Sequence, residues 1–352
     1  MEEIPEVLPP KVNAWAQRKI LRMKYRNLVF KGGGVRGIAY IGALEELETL
    51  GLVEKVQRVA GSSVGAIAAM MISLRLPVDE IKRIFDTLEF SRIPQTRGEG
   101  SVEKLIDRLD LTVCSQRLFK GYGWYSSDYF YQWLQTVIAE YGGGNPRATF
   151  ADFKRLGHRD PYIVVSNLSR RRSEVMTYDT TPHVAVADAV RMSMSIPLFF
   201  EALRFDGKKF GEGDLYVDGG LFDNYPLHVF DKPSLIHRNI FLRKGINWQT
   251  LGFYLYPGDV KGKKQMRDAI TLIEFINLLM DNLYASNQLT AYEPNDIDQK
   301  RTIRISDCGV AATHFNIAPE SNEYRALYES GRKAVREFFR AQIPEDAMGP
   351  GR

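Results

Sequence analysis

The stretch VAGSSVGAIAAMMISL, residues 59–74, sets two serines in a frame of glycines and runs on into small and apolar residues that read as a helix. The preceding KVQRVA, residues 55–60, reads as a strand, so the glycines and serines make a sharp strand-to-helix turn. G-x-S-x-G in that position is the pattern of a nucleophile elbow, where the central hydroxyl is held exposed at a helix N-terminus. With Gly61 and Gly65 as the frame, the central residue is Ser63, Ser62 is a small turn residue, and the N–H of Val64 is an oxyanion donor. The alternative use of either serine is to cap the helix.

Upstream, NLVF (27–30) reads as a short buried strand, followed at once by KGGGVRG (31–37). Ile38, Ile41, Leu44 and Leu47 then recur at three-residue steps with Glu45, Glu46 and Glu48 between them, an amphipathic helix stopped near Gly51. Two consecutive strand–turn–helix units predict parallel strands and right-handed crossovers, hence an α/β layered fold. Further strands are expected at 161–166, 173–178, 202–206, 215–217, 251–256 and 302–306, and long helices at 265–287 and 322–340. SRRRSE (169–174) reads as a hairpin tip. Residues from 92 to about 150 are rich in Gly and aromatics and read as helical and loop insertions beside the sheet.

Gly32, Gly34 and Gly37 satisfy G-x-G-x-x-G between a strand and a helix. A dinucleotide fold also needs an acidic residue about 20 positions on, at the end of the next strand. Here that strand runs into the serine turn, which argues against a nucleotide. Glycine N–H groups at a helix start also converge on an anion, and if that anion is a tetrahedral oxyanion each donor is worth ~3 to 4 kcal/mol in the transition state.

A serine hydroxyl needs a base within reach. Five histidines are available, at 158, 183, 228, 237 and 314, and a triad in the order Ser63, Asp218, then one of the last three is formally open. None stands in a distinctive local frame. LYVDGGLFDNYP (215–226), by contrast, ends a short apolar strand on Asp218 and follows it with two glycines. If Asp218 sits with Ser63 at the carboxyl ends of parallel strands, it can take the serine proton directly; an Asp-Gly turn is the structural alternative, and is the expectation for Asp206-Gly207.

Three motifs in order, the glycine loop Gly32-Gly33-Gly34-Val35-Arg36-Gly37, the elbow Gly61 to Gly65, and Asp218-Gly219-Gly220, make the chain resemble the patatin-like phospholipase family. RMSMSIPLFF (191–200) and NYP (224–226) are similar to the family's flanking signatures, although Met192 and Met194 replace the usual alanines. The resemblance implies a three-layer α/β/α fold with a central, mostly parallel sheet and helical insertions. It implies Ser63 as acylated nucleophile, Asp218 as base, oxyanion donors at Gly32, Gly33 and Gly34 with Val64, and supporting roles for Arg36, Gly61, Gly65, Gly219 and Gly220. Arg36 either lends positive potential or braces the loop by an ion pair. No metal and no cofactor are implied.

The expected activity is acyl-ester hydrolysis of phospholipid or lysophospholipid through an acyl-serine; a lipid-binding or regulatory protein with little turnover and an acyltransferase using the same dyad are the rivals. The expected organisation is a basic leader at 1–26, one catalytic domain at 27–345 and a tail at 346–352. With 47 basic and 43 acidic residues, a net charge of +4 lacks the concentrated basicity of a nucleic-acid binder, and a peripheral membrane surface is the expected partner. Residues 11–26, with six basic side chains around Trp15, Ile20, Leu21 and Met23, are a candidate headgroup-facing helix, and the aromatics around Tyr122 to Trp133 a candidate lid or membrane-facing surface. Homo-oligomers and a regulatory ligand such as a small nucleotide are left open. Cys114 and Cys308 fit neither a disulfide framework nor a metal site, and the acidic, Pro-rich start MEEIPEVLPP is unlike a signal peptide, so the cytoplasm is the expected compartment.

Overall fold

The computed structural model describes residues 25–93, 106–235, 242–243, 245–258, 296–319 and 321–342, with residues 275, 278, 279, 282 and 283 besides. The leader up to residue 24, the tail and His237 lie outside the described residues, as does most of the expected helix 265–287, whose five described positions are helical.

The first unit is β1 (Asn27–Phe30), a single turn of 3-10 helix (Gly34–Gly37) and α1 (Ile38–Thr49). The second is β2 (Arg58–Ser62) and α2 (Val64–Ser73), followed by α3 (Val78–Asp86). The expected strand at 55–60 is displaced toward the elbow: Val53–Lys55 is a 3-10 turn, and Gly61 and Ser62 belong to β2 because they pair with Ile163 and Val164. The insertion holds α4 (Ile106–Gly121), β3 (Gly123–Tyr125), α5 (Asp128–Tyr141) and α6 (Phe150–Arg155). Then come β4 (Asp160–Asn167), β5 (Arg172–Met176), α7 (Val186–Ser193), β6 (Leu198–Phe200), β7 (Leu203–Phe205), β8 (Asp214–Asp218) and α8 (Gly220–Asp223). After β9 (Leu242–Arg243) and β10 (Ile246–Asn247), the chain closes with β11 (Thr250–Tyr256), α9 (Asp296–Gln299), β12 (Thr302–Ser306) and α10 (Asn322–Arg340).

The main sheet has eight strands in the order β12-β11-β1-β2-β4-β8-β7, with β5 also on β4. β12, β11, β1, β2 and β4 are mutually parallel. Such strands are buried on both faces, which is why NLVF and the centre of β4 read as continuous apolar runs. Side chains of one pleat, such as Leu28, Phe30 and Val59, join the large core under α1, α2 and α10; those of the other, Val29 and Ala60, pack beneath Tyr225, Leu227 and Phe230. The result is a mostly parallel sheet flanked by helices, the expected α/β/α architecture.

One feature departs from the expected geometry. β8 is antiparallel to β4, so Asp218 does not stand at the carboxyl end of a parallel strand. β5 occupies one edge of β4 over Ile163 to Asn167, so β2 and β8, which overlap that range, share the other edge. They meet head to head there, with Ser62 opposite Val164 and Asp218 opposite Val165. Consecutive residues of β4 thus bring together the ends of two strands that lie more than 150 positions apart in sequence.

Candidate active site

The elbow is built as its sequence demands. Ser63 adopts φ +55° and ψ −125°, a region that a non-glycine residue occupies only when its surroundings hold it there. A Cβ on Gly61 would lie 2.0 Å from the Gly65 carbonyl oxygen, and one on Gly65 would lie 2.2 Å from that of Phe30, so the turn closes only with glycine at both places. The Ser63 N–H donates to Ser193 Oγ at 3.0 Å, and that hydroxyl donates to the Val164 carbonyl at 2.6 Å. Ser62 is a structural turn residue: it is buried and its hydroxyl donates to the Asp223 carbonyl at 2.5 Å.

Asp218 is completely buried. Its N–H donates to the Ser195 carbonyl at 2.8 Å, and the next N–H, of Gly219, to the Ser193 carbonyl at 3.0 Å. Oδ1 accepts from the Gly220 N–H at 2.7 Å. Oδ2 is buried with no completed hydrogen bond. Burial pushes the carboxyl up to about 7, opposed by the nearby Ser63 hydroxyl and by the Gly220 N–H. Among the described residues no histidine contributes to that shift.

The glycine loop lies against the elbow: a Cβ on Gly32 would sit 3.1 Å from Ser63 Cβ. Gly34 has φ +59°, and a Cβ there would be 2.0 Å from the Ala312 carbonyl oxygen. Among the described residues the N–H groups of Gly33, Gly34 and Val64 have no hydrogen-bond partner. Gly32 is a correction to the sequence expectation, because its N–H is already donated to the Asn224 carbonyl at 2.9 Å and is not a spare oxyanion donor. Arg36 braces the loop: its Nε donates to the Val310 carbonyl at 2.7 Å and lies 3.4 Å from Asp307 Oδ2. The Val35 N–H joins the same segment through the Ala312 carbonyl at 2.9 Å.

Sequence reading missed Ser193, Asn224 and the 307–312 bracket. The first two lie inside the stretches RMSMSIPLFF and NYP, but a hydroxyl that orients a backbone N–H leaves no spacing signature. Residues 307–312 meet the loop through the Arg36 side chain and the Val35 N–H, contacts between segments far apart in the sequence. His228 is placed in a separate ion cluster, with Nδ1 2.9 Å from Asp231 and Nε2 2.9 Å from Asp298. His158 packs on Phe153. Among the described residues no group of three or more His, Cys, Asp or Glu side chains is arranged to hold a metal ion. Cys114 is buried and Cys308 exposed, and neither is in a disulfide.

A strained serine on a strand-to-helix elbow, a buried carboxylate near it and a glycine loop with unspent N–H groups come together at one place in this fold. The chain belongs to the patatin-like phospholipase family, whose sequence model matches residues 28–231, and it is a lipid hydrolase. It is 28% identical over 325 residues to the uncharacterized protein YqhO of Bacillus subtilis, spanning 90% of this chain and 98% of that protein. It is 25% identical over 297 residues to the cUMP-AMP-activated phospholipase of Escherichia coli, spanning 80% and 81%. The crystal structure of VipD from Legionella pneumophila superposes with a TM-score of 0.57 at 19% identity, over 90% of this chain and 67% of that one, a likeness of fold.

Proposed function

We propose that the chain cleaves fatty-acyl esters of phospholipids or lysophospholipids through an acyl-serine intermediate, with Ser63 as nucleophile and Asp218 as its base. The observation that carries this reading is the pairing of a buried carboxylate oxygen that lacks a completed hydrogen bond with a serine held in a strained elbow. The ester carbonyl carbon is attacked by Ser63 Oγ while the hydroxyl proton passes to Asp218. The developing oxyanion lies among the N–H groups of Gly33, Gly34 and Val64, each worth ~3 to 4 kcal/mol at the transition state. Collapse breaks the bond to the alcohol, which leaves with the proton from Asp218. Water, deprotonated by Asp218, then attacks the acyl-serine; the bond to Ser63 Oγ breaks, Asp218 returns the proton to that oxygen, and the fatty acid is released. A base whose pKa is near 7 suits both transfers.

The substrate's bilayer is the partner this reading requires, and among the described residues no helix is long and apolar enough to cross a membrane. The name of the E. coli relative favours an added level of control, activation by a small nucleotide ligand, as a property to be tested in this chain. The direct experiment incubates the purified protein with mixed membrane lipids and follows free fatty acid by mass spectrometry. Wild type is expected to release it and Ser63→Ala to reduce release at least ~1,000-fold; equal release by both proteins overturns the assignment of Ser63.

A further inference from the structure

Two residues beside the site have left-handed backbone where physics assigns glycine, and both carry bulky apolar side chains into solvent. Tyr122 follows the last residue of α4 with φ +62°, the position where a helix usually ends on Gly. Leu198 has φ +65° in the turn closed by the Phe199 N–H on the Ile196 carbonyl at 3.2 Å. Pro197 holds the second position of that turn, and the third, where Leu198 stands, is the glycine position of a type II turn. The two are neighbours in space, because Gly123 of β3 pairs with Leu198 of β6. Tyr122 is 49% exposed and Leu198 38%, and Phe119 on the last turn of α4 is 82% exposed. Lys120 stands exposed among them. A chain that merely needed to turn here would be more stable with Gly or Asn at either strained position.

The patch is tied to both halves of the active site. Leu198 lies three residues beyond Ser195, whose carbonyl holds the Asp218 N–H. Phe199 and Phe200 pack on Phe315, in the same loop whose Ala312 carbonyl receives the Val35 N–H beside the oxyanion glycines. We propose that Phe119, Tyr122 and Leu198 form the bilayer-docking surface of this enzyme, inserting into the acyl layer while Lys120 meets headgroup phosphates. The occupant is a phospholipid bilayer: the patch is apolar with a cation within it, and it is linked through Ser195 and Phe315 to the residues that hold the lipid-hydrolysing site. This proposal rests on the lipid-hydrolase reading of that site.

The test compares wild type with Tyr122→Asn/Leu198→Asn and with Phe119→Ser, using flotation on vesicles of phosphatidylcholine and phosphatidylglycerol, hydrolysis of vesicle lipid, hydrolysis of a soluble short-chain ester, and thermal unfolding. Burial of one such side chain is worth more than tenfold in partition, so vesicle binding and vesicle hydrolysis are expected to fall at least about tenfold in each variant. Soluble-ester hydrolysis is expected to be unchanged, and the Tm of the double variant to rise by about 1 to 3 °C as the strain is relieved. Unchanged vesicle binding overturns the proposal. So does a parallel loss of soluble-ester hydrolysis, or a lowered Tm, either of which assigns these residues to packing, and so does altered oligomeric mass with vesicle binding intact, which assigns the patch to a protein partner. Ser63→Ala run alongside separates the two readings: it is expected to bind vesicles as wild type does and to hydrolyse neither substrate.

Discussion

Asp218 is wholly buried, and the cost of ionising it there holds its pKa near 7. As the proposed proton acceptor it works only when ionised, so the acylation rate is expected to rise with pH and reach half its plateau near pH 7. Asp218→Asn, which keeps the shape and removes the base, is expected to lower turnover of a soluble ester by at least ~1,000-fold and to abolish that titration. A surviving inflection near 7 in Asp218→Asn assigns the titration to another group. The elbow at Ser63 is legible because G-x-S-x-G is a local pattern with a local cause. Asp218 is legible from its strand end and two glycines, but its place beside Ser63 comes from β8 meeting β2 head to head, not from parallel strands. Gly32's N–H is not legible as spent, because that depends on Asn224, nearly 200 positions away.

At the scale of elements, the two strand–turn–helix units, the hairpin tip between β4 and β5 and the long last helix all follow from periodicity and turn residues. The antiparallel direction of β8 does not, since a five-residue strand looks the same in either direction. Nor does the β3–β6 ribbon, whose strands have three residues each and lie more than 70 positions apart. The aromatic insertion divides by side chain: Tyr129, Phe130 and Trp133 of α5 are buried, whereas Tyr122 is exposed. α1 and α10 show how close packing is also hidden in sequence. A Cβ on Gly331 of α10 would lie 1.8 Å from the Ala39 carbonyl oxygen, and one on Gly42 of α1 would lie 2.0 Å from that of Tyr328. Gly→Ala in an ordinary helix interior stabilises by up to ~1 kcal/mol. Here Gly331→Ala is expected to destabilise by about 1 to 3 kcal/mol through overpacking, visible as a lower urea midpoint at unchanged m-value; a higher midpoint contradicts that contact.

Over the whole molecule, the buried acids and the His228 cluster set a stability that runs against activity. Asp218, raised to about 7, and Asp223, raised to about 6 by burial, bind protons more tightly folded than unfolded. Their effect is lost stability as pH rises from about 4 through those values. His228, raised to about 9 by its bonds to Asp231 and Asp298, contributes stability below about pH 6.5 that is lost toward 9, reduced by its exposure to solvent. Asp231 is lowered to about 2 against its burial by His228, Arg301 and the Asn247 N–H; its contribution is present above about pH 4 and lost toward 2. The fold is therefore expected to be most stable between about pH 4 and 6 while ester hydrolysis increases above 7. Urea midpoints at pH 5 and pH 8.5 check this, and a higher midpoint at 8.5 contradicts it.

In the proposed mechanism a serine and a carboxylate perform acyl transfer without an imidazole. That mechanism is tested most directly by locating, by peptide mass spectrometry, the adduct that a fluorophosphonate leaves on wild type and on a variant with all five histidines replaced by alanine. A single adduct on Ser63 is expected in both proteins at comparable rates, and none on Asp218→Asn in the same time. Labelling at another residue, or loss of Ser63 labelling in the folded histidine-free protein, would contradict it.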